Sequence, residues 1–301
     1  MKKSILVTGG SGFIGRSLIE NLSSNYNFLC PSHKDLELAD ENATEKYFLK
    51  NKVDAIIHCA NIGGTRRTTH PVNVLGINLK IFFNLIRCKR FYGKMIFLGS
   101  GAEYDKRQDL HKVRESDFDK SVPIDDYGFY KYICSSFIAR EKDIVNLRLF
   151  GIYGKYEDYE LRFISNSICK ALLHLPITIK QNVYFDYFYV NDLVDIIDFF
   201  IIHKAKYKFY NIGTGKPINL FQIAQRIIAL TKNEVPIQIL KNGWNKEYSC
   251  DVTRLQSEIP KLKFTDLDTS IKEMIEYYQS ILPSINKENI VKYDFPGLFP
   301  K

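Results

Sequence analysis

Long apolar runs are missing from this chain of 301 residues. The longest, such as "IIDFFII" at 196–202, are interrupted by charge and fall far short of the ~20 residues that a membrane helix needs. The six cysteines, at 30, 59, 88, 134, 169 and 250, are scattered, with no CxxC pair and no set of histidine partners for a metal. Neither a zinc site nor a disulfide framework is expected, which suits a reducing compartment. Clustered basic residues are absent as well: the formal charge is +8, but acids are interleaved among the bases almost everywhere. That pattern argues against nucleic acid as a partner and fits a positive pocket for a small phosphorylated molecule. "MKK" and five further residues before the first glycine pair make too short a stretch for a secretory signal, so a cytoplasmic location is expected. There is no internal repeat and no low-complexity linker.

What the chain does have is alternation. Short apolar runs at 4–7, 27–30, 53–58, 94–98 and 144–149 read as strands, and amphipathic stretches at 12–22, 41–50, 72–90 and 126–141 read as helices. Strand–helix alternation of this kind predicts a parallel sheet covered on both faces. After Gly151 the pattern loosens, with helix-like pieces near 160–173, 191–203, 219–231 and 267–280 and strand-like pieces at 177–179, 208–212 and 237–240. The fold class expected is α/β: a Rossmann-type doubly wound sheet over 1–150, to which 185–203 returns, and a smaller, partly interleaved α+β substrate domain over 151–301. The tail from Ser284 onward, with two prolines and little periodicity, reads as an irregular end.

The first chemistry lies in "ILVTGGSGFIG", residues 5–15. A strand that turns into a helix at glycines brings a pyrophosphate to the helix N-terminus, where free N–H groups and the dipole favour negative charge. Gly9 serves the tight turn, Gly12 the close approach of phosphate and Gly15 the packing of helix on strand. At the end of the second strand, "CPSHKD" places Ser32, His33 and Lys34 where an acid for the ribose 2′-hydroxyl of NAD would stand. Two potential cations in place of a carboxylate point to the 2′-phosphate of NADP, with NAD the alternative.

The second lies in "FLGSGAEYD" (97–105) and "DDYGFYKYICSSF" (125–137). Ser100 follows the fourth strand, at the carboxyl edge where open α/β folds bind ligands. Tyr127 and Lys131 are one helical turn apart on one face. An ammonium that close is expected to lower a phenol's pKa by roughly 1–3 units and so make Tyr127 a proton donor and acceptor near neutrality. YxxxK spacing alone arises by chance in a chain this rich in Tyr and Lys; its order after the glycine turn and Ser100 gives it weight.

These segments, with "PVNVLGINLKIFFNLI", "LRLFGIYG", "FDYFYVNDLVDII" and "YNIGTGKPINL", resemble the extended short-chain dehydrogenase/reductases. These are NAD(P)-dependent epimerases, dehydratases and reductases of nucleotide sugars. The resemblance runs in order from residue 4 to about 220 and is most similar to the GDP-L-fucose synthase branch. It implies a catalytic set of Ser100, Tyr127 and Lys131, and a cofactor site of Gly9, Ser11, Gly12, Phe13, Ile14, Gly15, Ser32, His33, Lys34, Leu38, Cys59, Ala60, Asn78, Phe150 and Ile152. In the same resemblance Asn78 matches the helix asparagine of the family's NVxGTxN motif, Asn84 is its second member, and Ile81 stands at its glycine.

Departures from the family pattern narrow the reaction. Ala102 replaces the cysteine of the epimerising pair, and His174 falls two positions too late to be its histidine partner. Gly101 and Ala102 replace the Asp-Glu pair of the dehydratases. Phe185 and Gly151 stand where an arginine and an asparagine hold the substrate, leaving Arg148, Arg162 and Lys180, with Ala102, as substrate-side candidates. The expectation is therefore an NADPH-dependent reductase of a 4-keto-(6-deoxy) nucleotide sugar, without epimerisation at C3 and C5. An NAD-dependent 4-epimerase and a cofactor-binding regulatory subunit are the alternatives. Apolar residues on the helices at 72–90 and 126–141 add the expectation of a homodimer, burial against the sheet being the other account of them.

Overall fold

The computed structural model describes residues 2–63 and 73–292. In chain order the first half comprises β1 (Ser4–Thr8), α1 (Phe13–Leu22), β2 (Asn27–Leu29), α2 (Glu41–Lys50), β3 (Ala55–His58), α3 (Val74–Arg87), β4 (Lys94–Ser100), β5 (Leu110–Val113), α4 (Asp126–Ile138) and β6 (Ile144–Leu149). There follow β7 (Gly151–Tyr153), α5 (Phe163–Leu172), β8 (Ile177–Asn182), β9 (Tyr184–Phe185), β10 (Tyr187–Tyr189), α6 (Val190–Ile202) and β11 (Phe209–Ile212). The last part holds β12 (Ile218–Asn219), α7 (Leu220–Thr231), β13 (Ile237–Trp244), β14 (Tyr248–Cys250), α8 (Thr253–Glu258), α9 (Leu267–Ile281) and α10 (Lys287–Lys292).

Six strands form one parallel sheet in the order β11-β6-β4-β3-β1-β2. The chain reverses direction across the sheet between β1 and β3, so a crevice opens at their carboxyl ends. The strands are apolar on both faces because both are covered. Ile5, Val7 and Ile57 face α1 and α6 through Leu18, Ile197 and Phe200. Leu6, Ile56 and Phe97 point the other way, to Phe82 of α3 and Tyr130 and Cys134 of α4. A third core gathers Ile164 and Ile168 of α5, Ile177 of β8, Ile223 of α7 and Ile271 and Tyr278 of α9.

The doubly wound α/β fold is the expected one, and the elements of its sheet fall within a few residues of their expected bounds. One detail differs. The tail beyond Ser284 was expected to be irregular, but α10 lies in it and buries Ile290; residues 293–301 lie outside the described residues. Of the helix residues that suggested a dimer, Ile81, Phe82, Leu85, Tyr130 and Ile138 are buried in the core under α3 and α4, while Ile86, Ile133 and Phe137 are half-buried.

Candidate active site

The glycine turn is dictated by its neighbours. Gly9 has φ +70°, and a Cβ there would stand 2.9 Å from the Ala60 backbone. A Cβ on Gly15 would lie 2.4 Å from the Gly9 carbonyl oxygen, so helix and turn touch backbone to backbone. Gly12 is the N-cap of α1, is exposed, and provides no side chain to satisfy the first-turn N–H groups. Side chains cap α2, α4 and α7 through Asp40, Asp125 and Asn219, whereas α5, α6 and α8, like α1, have no side-chain cap. An uncapped helix end at the sheet's crevice fits a pyrophosphate. Ser11 is exposed beside it, while Phe13 and Ile14 lean on the third and first cores respectively.

On the other side of the crevice, Thr8 Oγ1 and His58 Nδ1 share a 2.7 Å hydrogen bond, and the Ala60 N–H donates to Thr8 Oγ1 at 3.2 Å. Burial drives the His58 pKa down to about 3, so the ring is neutral. Burial pushes the neighbouring Cys59 thiol up to about 12, leaving it protonated. Asn78 is buried, and its amide is spent on the backbone of Ile62 and Val74 at 2.8–3.0 Å. It fixes the segment after β3, which corrects its assignment as a direct cofactor contact. Asn84 similarly donates to the carbonyl of Leu38 at 2.9 Å.

The strand-end sequence hid one feature. Ser32 donates both its N–H and its hydroxyl to Asp35, at 3.0 and 2.6 Å, so a carboxylate stands where none was expected. His33 and Lys34 are exposed, with His33 Nδ1 3.6 Å from Glu37.

Ser100, Tyr127 and Lys131 come together. The Ser100 hydroxyl neighbours the phenols of Tyr127 and of Tyr248 and pulls the pKa of each down. Lys131, 5% exposed, donates to the Leu98 carbonyl, and its Nζ lies 6.0 Å from the Tyr127 ring centre. The expected depression of the phenol is not what this geometry produces. Burial raises the Tyr127 pKa, against the lowering pull of the Ser100 hydrogen bond and the Arg162 charge. The ammonium is directed at a carbonyl, and the phenol stays protonated.

Aromatic rings wall the site. Phe185 stacks on Tyr248 at 4.7 Å, and Phe150 meets the same ring at 4.8 Å. A Cβ on Gly101 would lie 2.5 Å from the Tyr248 hydroxyl, and one on Gly151 would lie 2.9 Å from the Phe185 ring. These two departures from the family pattern thus make room for rings that replace a carboxylate and a cation. Tyr248 was missed in the sequence because β14 is three residues long and lies 121 positions from Tyr127 and 148 from Ser100.

The substrate-side candidates separate. Ala102 is buried beneath Ser100. Arg148 is wholly buried, donates to Glu103 at 2.6 Å and to Tyr104 at 2.9 Å, and cannot reach a ligand; its assignment is corrected. Lys180 is exposed on β8, and among the described residues no contact joins it to Ser100 or Tyr127. Arg162, exposed at the N-cap of α5, is the cation whose charge is felt at Tyr127. Ile152 lies half-buried between the first and third cores.

A glycine-lined helix end at the switch point of a doubly wound sheet puts the molecule in the class of dinucleotide-binding α/β proteins. Within it, the chain belongs to the NAD dependent epimerase/dehydratase family, whose sequence model matches residues 5–213. It is 23% identical to an ADP-L-glycero-D-manno-heptose-6-epimerase of Brachyspira hyodysenteriae, over 90% of this chain and 96% of that one. A GDP-L-fucose synthetase of Naegleria fowleri bound to NADP has the same fold, with TM-score 0.82, 15% identity and 95% of each chain covered. So does a GDP-mannoheptose C4 reductase of Campylobacter jejuni with NADP bound, with TM-score 0.77, 20% identity, and 92% of this chain and 98% of that one covered. Among the described residues no helix is long and apolar enough to cross a membrane, and no cluster of side chains suits a metal ion.

Proposed function

We propose that the protein reduces the C4 ketone of a 4-keto-(6-deoxy) nucleotide sugar, with NADPH as reductant and without epimerisation at C3 or C5. One observation carries this reading: a phenol kept protonated by burial, with a serine hydroxyl beside it and no thiol or carboxylate at positions 101 and 102. Reduction of a ketone needs a proton donor at its oxygen. Tyr127 supplies the proton, and Ser100 donates a second hydrogen bond to the same oxygen. When bound, the nicotinamide of the cofactor supplies the hydride. The N-terminus of α1 at Gly12 would hold its pyrophosphate, and Lys131, with its charge nearby, would hold the ribose that the family resemblance assigns to it. Arg162 is the cation positioned for the sugar's diphosphate. The residues after Gly151 form the substrate side in this reading, and a homodimer is its assembly state.

Asp35 supports a second reading, in which a carboxylate at Ser32 favours the ribose hydroxyls of NAD and the protein is a 4-epimerase. NADPH oxidation with a panel of 4-keto-6-deoxy sugar nucleotides separates the two. The reductase consumes NADPH with at least one member of the panel, and Tyr127→Phe lowers kcat by about 10²–10⁴-fold. Ketone reduction that survives intact in Tyr127→Phe sinks the assignment of the phenol. A wild-type protein that interconverts C4 epimers without net NADPH consumption establishes the epimerase.

A further inference from the structure

Beneath the Ser100–Tyr127 pair lies a polar cluster that the reaction itself does not use. Glu103 is 0% exposed, so it cannot touch substrate or cofactor. One carboxylate oxygen accepts the backbone N–H of Ser100 at 3.0 Å. The other accepts the hydroxyl of Ser135 and the Nε–H of Arg148, at 2.5 and 2.6 Å. Asn146 on β6 donates to Ser135 at 2.5 Å and closes the ring. Ser135 falls at the third place of a stripe whose first two are Tyr127 and Lys131, because residues four apart on a helix share a face.

We propose that Glu103 is a positioning residue for the reduction: a single carboxylate ties the end of β4 that carries Ser100 to the face of α4 that carries Tyr127. This rests on the reading of Ser100 and Tyr127 given above. The chain makes room for it. A Cβ on Gly99 would lie 2.4 Å from the Glu103 carboxylate and 2.1 Å from the Asn146 amide oxygen, so residue 99 carries no side chain. A second contact presses the same surfaces together, since a Cβ on Gly128 would stand 2.9 Å from the Ala102 carbonyl. Burying a carboxylate and a guanidinium adds little net stability compared with apolar packing of the same volume. What the pair does supply is direction. Arg148 balances the charge from β6, and the carboxylate's remaining lone pairs fix the strand end against the helix. The Ser100 hydroxyl is set in turn by the Ala102 N–H, at 3.1 Å.

The test compares Ser135→Ala, the double variant Glu103→Gln/Arg148→Met, and the triple variant combining them. Each is assayed with NADPH and the panel member that the wild type reduces fastest. Ser135→Ala keeps the ion pair and cuts only the tie to α4. It is expected to lower kcat about ten- to a hundred-fold, with KM for the sugar nucleotide and affinity for NADPH within about two-fold. Removing both charges is expected to do the same, and the triple variant to lose no more than either, because all cut one tie. Folded variants with wild-type kcat, losses confined to KM, or losses that multiply overturn the proposal. If the double variant does not fold, Ser135→Ala decides alone. If the wild type reduces nothing in the panel, the functional reading fails and the tie is read by crystallography of Ser135→Ala. A Ser100 hydroxyl out of reach of Tyr127 then upholds it, and an unmoved one overturns it.

Discussion

Lys131 combines burial with charge, and the balance between them sets a pH dependence. Removal from water lowers its pKa to about 8, although Cys134, Glu103 and Cys59 each pull it up. The groups around it do not titrate nearby: His58 is held down at about 3, Cys59 up at about 12, and Tyr127 above its ordinary value. For stability the sign is that of a depressed cation. Between about 8 and its unfolded value of 10.5 the unfolded chain holds a proton that the folded one has shed, so this group makes stability rise with pH over that window. Activity runs the other way, because the ammonium is lost above about 8. A pH–rate profile of the ketoreduction should therefore fall by about ten-fold per pH unit on its alkaline side. Glu157, buried and raised to about 8 beside Ser165, titrates in the same range. Glu157→Gln is the control: it should leave the alkaline limb in place, whereas a limb that vanishes in this variant would assign it to the carboxyl.

At the scale of elements, the connection between β9 and β10 shows what packing adds to pattern. Asp186 is wholly buried and accepts the Thr214 N–H, the Thr214 hydroxyl and the Gly215 N–H at 2.6–2.9 Å. Its backbone N–H donates to Tyr248 and its carbonyl accepts from Gly151, both at 3.0 Å. One residue thus holds the turn after β11, the strand carrying Tyr248 and the bottom of the aromatic wall. Asp186→Ala should cost about 2 kcal/mol, since it leaves the half-buried donors of Thr214 and Gly215 without their charged acceptor. Thermal unfolding would report it as a fall of several degrees. An unchanged melting temperature would show that the turn stands without the carboxylate. None of this was legible in "YFDYFYV", which reads only as apolar alternation. Strands β1, β3, β4 and β6 were legible because short, largely apolar segments between polar stretches have one solution in a covered parallel sheet. β9, β12 and β14, two or three residues each, are strands only because of what lies beside them. The same holds within the site. The glycine turn, the Tyr127–Lys131 spacing and the Ser32–Asp35 pair are local, whereas Tyr248 near Ser100 and the burial that reverses the phenol's shift depend on the folded neighbourhood.

In the whole molecule the first helix is the seam. Its opening turn supplies Phe13 to the third core and Ile14 to the first. Arg16 lies 3.8 Å over the Tyr156 ring and Glu20 pairs with Lys155 at 2.7 Å, joining α1 to the loop that leads to Arg162. The exposed ion pair contributes little by itself. A ligand seated on the N-terminus of α1 touches both sides of this seam, so its binding energy should appear as stability of the whole chain rather than of one part. At a concentration 100 times its dissociation constant a cofactor adds about 2.7 kcal/mol, a shift of several degrees. If His33 and Lys34 hold a 2′-phosphate, NADPH should raise the melting temperature more than NADH at equal concentration, and His33→Ala/Lys34→Ala should erase that difference while leaving the NADH shift intact. If instead Asp35 reads the ribose hydroxyls, NADH should give the larger shift, and Asp35→Ala should abolish it. The two outcomes exclude each other, and the comparison needs no sugar nucleotide.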